Sequence, residues 1–133
     1  MKNKAEEFVF HICKKTFLSL WSHANPLGKA GKELCDLLVV CEPDIVIFSV
    51  KEIMLTESKD VQTDWKRWNR RAIEESAGQV YGAERWLKTA THVIKNDGSP
   101  GIKLPARDEQ RIHRIVVALG GKDKFPMFYG DIG

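Results

Sequence analysis

Cysteine is scarce in this chain of 133 residues, and Cys13, Cys35 and Cys41 form no C-x-x-C pair. An odd count with that spacing argues against a disulfide framework and against a zinc site. Reduced, buried thiols fit an intracellular, cytoplasmic protein. Long apolar runs are missing too. The longest, Ile45 to Val50, contains Ser49 and falls far short of the ~20 residues that span a bilayer, so no membrane partner is expected. The start, MKNKAEE, lacks the apolar segment and small-residue cleavage site of a secretory signal. Internal repeats and low-complexity linkers are absent. Charge of one sign is in small excess: 21 Lys+Arg against 18 Asp+Glu gives +3. Such a balance permits a polyanionic partner without demanding one.

What is present is enough apolar sequence, 43%, for one packed domain over residues 1–133. The chain stops after an aromatic stretch with no closing element, which fits an N-terminal domain of a longer protein. Val9, Phe10, Cys13, Phe17 and Leu20 share one face at 3.6 residues per turn and predict a helix over 5–21. Residues 22–26 end it, and residues 26–33 read as a glycine- and lysine-rich loop. Leu34 to Cys41 and Ile45 to Val50, divided by Glu42-Pro43-Asp44, predict a strand hairpin apolar on both faces, hence covered on both sides. A long helix is expected from about Thr63 to Lys88, with Trp65, Trp68, Ala72, Ser76, Gln79, Ala83 and Trp86 as its buried stripe. Gly78 and Gly82 weaken that helix, and their smallness suggests close packing on the sheet. Residues 96–110 read as a loop, Arg111 to Leu119 as a third strand, and Phe125 to Tyr129 as a fourth. The order predicts a small α/β domain with a mixed sheet.

Asp36, Ser49 and Lys51 are the residues of this pattern that suggest chemistry. Alternation puts Ser49 and Lys51 on one face of their strand. If Cys41 pairs with Asp44, Asp36 stands opposite Ser49. If Glu42 pairs with Ile45, Asp36 stands opposite Lys51. Either register brings all three together, and a one-residue slip would separate them. A carboxylate beside an amine suits phosphodiester hydrolysis. Asp36 could hold a divalent cation through oxygen, and Lys51 could orient the attacking water and stabilise the charge that develops.

Asp36-(x)12-Ser49-Val50-Lys51 on a hairpin, between a helix with early acids and a long helix, resembles the PD-(D/E)XK nuclease superfamily. That resemblance implies a restriction-endonuclease-like core, with a mixed sheet flanked by the N-terminal helix and the long central helix. It also implies Mg²⁺ or Mn²⁺ as cofactor and DNA as the nucleic-acid partner, with a homodimer as a further expectation. Asp36 and Lys51 match the motif. Glu6 matches the carboxylate often found on the first helix, with Glu7 as fallback. The position two before Lys51 departs from the pattern, since it is Ser49 where the family has Asp or Glu. Members with Ser-X-Lys take that carboxylate from the next helix, which points to Asp64 as the second metal ligand, ahead of Asp60 and Glu75. Glu52 is assigned to the opposite face of its strand. Gln79 corresponds to a glutamine that some related nucleases place near the site.

The remaining cations fit a nucleic-acid backbone. Lys66, Arg67, Arg70 and Arg71 give four charges in six residues beside two tryptophans, and Lys29 and Lys32 lie in the glycine loop. That loop is not a P-loop, because Gly28-Lys29-Ala30-Gly31-Lys32-Glu33 has the wrong spacing. The expected function is metal-dependent hydrolysis of phosphodiester bonds in DNA. The alternative is a catalytically degenerate module of the same fold that binds nucleic acid or a protein without cutting.

Overall fold

The computed structural model describes residues 4–17, 20–54 and 60–120. It is a mixed α/β structure. Its elements are α1 (Lys4–Phe17), β1 (Ser22–Ala24), β2 (Leu37–Cys41), β3 (Asp44–Glu52), α2 (Val61–Asn69), α3 (Glu75–Leu87), β4 (His92–Ile94), β5 (Pro100–Lys103) and β6 (Arg111–Leu119). A π-helical turn, Arg70–Glu74, joins α2 to α3. The main sheet has the order β1-β2-β3-β6, and β4 and β5 form a separate ribbon. β1, β2 and β3 run antiparallel to their neighbours, while β6 returns parallel to β3 after the helices. None of the helices among the described residues is long and apolar enough to cross a membrane.

Period-two alternation in the hairpin feeds two cores, one on each face of the sheet. Leu38, Val40, Ile45 and Ile47 pack with Val80, Ala83 and Leu87 of α3 and Val93 of β4. Leu37, Val39, Val46, Phe48 and Val50 pack with Ala5, Val9 and Cys13 of α1. The doubly apolar runs of the sequence are thus a sheet covered on both sides. At its far end Asp44 accepts from the guanidinium of Arg111 and contacts the His113 ring, which pins the start of the parallel pairing.

Several expectations shift. α1 ends at Phe17, and Leu20 lies outside it, 73% exposed. The three residues after that turn are strand β1 rather than the end of a helix. Loop 96–110 contains β5. The proposed strand Phe125–Tyr129 lies outside the described residues. Of the predicted stripe on the central helix, Trp68, Ala72, Ser76 and Ala83 are buried and Trp65, Gln79 and Trp86 are half-buried, while Val80 and Leu87 join the core beside them. The π turn does not interrupt the stripe, which runs from Trp68 through Ala72 to Ser76 and Ala83. Gly78 and Gly82 do not pack on the sheet. A Cβ on Gly78 would meet nothing within 4 Å, and one on Gly82 only the Arg85 guanidinium at 3.6 Å. Each costs the helix about 1 kcal/mol relative to alanine, with no packing in return.

Cys13 and Cys35 are buried and Cys41 is half-buried, so two of the three thiols meet the expectation. Burial pushes the Cys13 thiol up, and the Cys35 thiol further, where the neighbouring Asp36 carboxylate adds to it. Only a thiolate attacks a disulfide reagent. Native protein should therefore titrate one thiol with Ellman's reagent, Cys41, and three after unfolding. Three fast thiols in the native state would contradict this packing.

Candidate active site

β2 begins at Leu37, and Cys41 pairs with Asp44, the first of the two registers considered. One step beyond the ladder, that register sets Asp36 opposite Ser49. The chain leaves the sheet there, so Val50 N–H lacks a continuing β2 carbonyl. Asp36 fills the gap with its side chain, Val50 N–H donating to Oδ2 at 2.6 Å. Asp36 itself is 6% exposed. An acid at this point is therefore part of the strand's termination as well as a chemical group.

Asp36 and Lys51 line one open cleft of about 440 Å³ at the end of the sheet. Glu6 reaches it from the first turn of α1 and is buried, whereas Glu7 is exposed. Glu33 reaches it from the loop before β2. Carboxylate oxygens of Glu6, Glu33 and Asp36 all lie within 4.8 Å of one another. Glu52 also lines the cleft, despite its assignment to the other face of β3. Four carboxylates thus meet one lysine. Like charges this close are unstable unless protons or a cation offset them. The donors are all oxygen, which suits a hard divalent ion such as Mg²⁺ or Mn²⁺.

Two participants were not legible as site residues. Glu33 sits in an aperiodic loop, and nothing in its spacing sets it apart. Asn25 is the residue that organises it. Asn25 is buried with φ +48°, its N–H donates to the Asp36 carbonyl at 3.0 Å, and its side-chain amide donates to Glu33 at 3.3 Å. The left-handed backbone that asparagine tolerates turns the chain from β1 toward the loop, so one residue ties both acids together. An Asn just before Pro26 was the available signal.

Ser49 is fully buried and does not line the cleft. Its hydroxyl donates to Gln79 Oε1 of α3 at 2.7 Å, which fixes the amide of a residue that does line it. Asp64 is placed elsewhere. It is 1% exposed and lines a narrow pocket with Met54, Arg67, Trp68 and Arg71, outside the group formed by Glu6, Glu33 and Asp36. Ile53 separates the two, lining both. Asp60 caps α2, accepting from Gln62 N–H and from the Thr63 hydroxyl, and Glu75 is exposed on α3. Lys66, Arg67, Arg70 and Arg71 are all exposed along α2 and the π turn, and Lys29 and Lys32 are exposed on the loop beside the cleft.

Searches against protein-family models, curated proteins and solved structures return no match to this chain.

Proposed function

We propose that this protein is a metal-dependent nuclease that hydrolyses phosphodiester bonds in DNA. The observation that carries the reading is the meeting of Glu6, Glu33 and Asp36 within 4.8 Å in a cleft that Lys51 also lines. The order helix, three antiparallel strands, helices and a parallel strand supports a restriction-endonuclease-like core. The gap left by Ser49 is compensated by Glu33, a carboxylate from the loop rather than from the strand of Lys51 or the next helix.

Glu6, Glu33 and Asp36 would hold a divalent cation. When bound, that ion supplies Lewis-acid stabilisation of the phosphate and a more acidic water. The chain's own groups do the rest. Lys51 holds the attacking water by hydrogen bond and offsets negative charge on the phosphoryl oxygens as they gain it. Gln79, oriented by Ser49, presents its amide N–H groups to the same cleft. The exposed cations of α2 and of the loop hold the backbone by charge, which makes affinity fall with salt.

The test uses labelled single- and double-stranded oligonucleotides incubated with Mg²⁺, Mn²⁺ or EDTA. Cleavage is expected with either metal and none in EDTA, and calorimetric titration with Mn²⁺ is expected to show saturable binding. If neither metal supports cleavage of DNA or RNA, the enzymatic reading is wrong.

A further inference from the structure

Next to the acidic cleft lies a second lobe of about 380 Å³, and the two share Glu33 and Gln79 as a common wall. Its volume falls within the roughly 300–1,000 Å³ typical of ligand pockets. The walls differ in chemistry. Leu34, Ala83 and the half-buried Trp86 make one side apolar and partly aromatic, while Lys29 and Lys32 stand at the rim. The lysines sit on a closed loop, with Gly28 N–H donating to Lys32 O and Lys32 N–H to Lys29 O. Gly82 lies in the floor, where a Cβ would meet only the Arg85 guanidinium at 3.6 Å. A glycine that weakens its helix without packing against the protein leaves room for something else to approach.

A ligand that is flat and aromatic on one side and anionic on the other fits these walls. We propose that this lobe is a subsite for an unpaired nucleotide, with its base against Trp86 and the helix floor and its phosphate between Lys29 and Lys32. Bases in a duplex have their faces covered by stacking and their edges by pairing, so a fully paired strand cannot enter. The preferred substrate then carries single-stranded nucleic acid beside the bond that is cut. This rests on the reading of the adjoining carboxylates as the phosphodiester site.

Binding measured in EDTA separates the two ideas, because no cleavage is needed. Fluorescence anisotropy compares a labelled (dT)20 with a blunt 20-base-pair duplex at one salt concentration. The expected result is at least tenfold tighter binding of (dT)20. Trp86→Ala should weaken (dT)20 by about tenfold, the size typical of a lost base-stacking contact, and leave the duplex nearly unchanged. Because Trp86 also contacts the core, Gly82→Leu provides a second probe. It fills the floor from a position whose only close neighbour is the end of the flexible Arg85 side chain, and should produce the same selective loss, with its melting curve checking the fold. Equal affinity for both probes, or (dT)20 binding unaffected by Gly82→Leu, overturns the proposal. Trp86-dependent binding in a protein that never cuts would instead sink the hydrolytic reading and leave this one standing.

Discussion

Asp36→Asn is expected to leave the fold intact and to lower metal-dependent cleavage by about a thousandfold, equivalent to about 4 kcal/mol of barrier. An asparagine keeps an oxygen that can accept from Val50 N–H, the bond that closes the end of β2 at 2.6 Å. It lacks the negative charge that a divalent ion requires. Asp36→Ala removes both, leaving a buried N–H without its acceptor, so it should cost a further ~1–3 kcal/mol of stability. Thermal unfolding of the two variants side by side separates the roles. Lys51→Ala should lose ~10²–10³-fold in rate yet still bind Mn²⁺ in calorimetry, because the three carboxylates remain. Asp36→Asn should lose that binding. If Asp36→Asn cuts DNA as fast as the unsubstituted protein, Asp36 is a strand terminator and nothing more.

Gly120→Ala should be the most damaging single-methyl change in the described chain. Gly120 has φ +100°, and a Cβ there would lie 2.2 Å from the Ile53 carbonyl oxygen and 2.7 Å from its carbon. The obstacle is backbone, so it cannot rotate away. Ile53 is moreover held from two sides: its N–H donates to the Leu119 carbonyl at 3.0 Å, and its carbonyl accepts from the Trp68 indole at 2.8 Å. A loss of about 3–5 kcal/mol follows from backbone strain plus displacement of these bonds. Ile53 lies two residues past Lys51, so activity should fall as well. Trp68→Phe probes the same junction more gently. It removes the indole donor and should cost about 1–3 kcal/mol through the orphaned carbonyl and the smaller ring. Melting temperatures of both variants within a degree of wild type would refute the close packing of this corner.

The sequence was informative where period and chemistry agreed. Arg111–Leu119 is β6 to the residue, and the hairpin has one of its two anticipated registers. Asp36, Lys51 and Glu6 face one cleft because alternation and helical phase are local rules. Elements held by other elements were hidden. β1 is three residues, Ser-His-Ala, with no alternation of its own. It is a strand because β2 offers it an edge. β4 and β5 were similarly too short to register, although Asp97-Gly98, with Gly98 at φ +87°, is a hairpin signal. Glu33 could not be singled out because its position depends on Asn25 and on the bridge between Leu27 and Glu33. Asp64 illustrates the converse. An acid in a helix's first turn has its own electrostatic reason to be there, and helical position did not carry it into the cleft.

β3 is flanked by partners along both edges, β2 on one side and β6 on the other. The β2 ladder ends at Phe48, however, so the segment that bears Lys51 is held along one edge alone, by β6; amides of residues 45–48 should exchange more slowly than those around Lys51. Glu33 hangs from a loop secured by a handful of bonds. In the proposed metal site, adjustment to ions of different radius would fall to that acid first, while β6 steadies the amine.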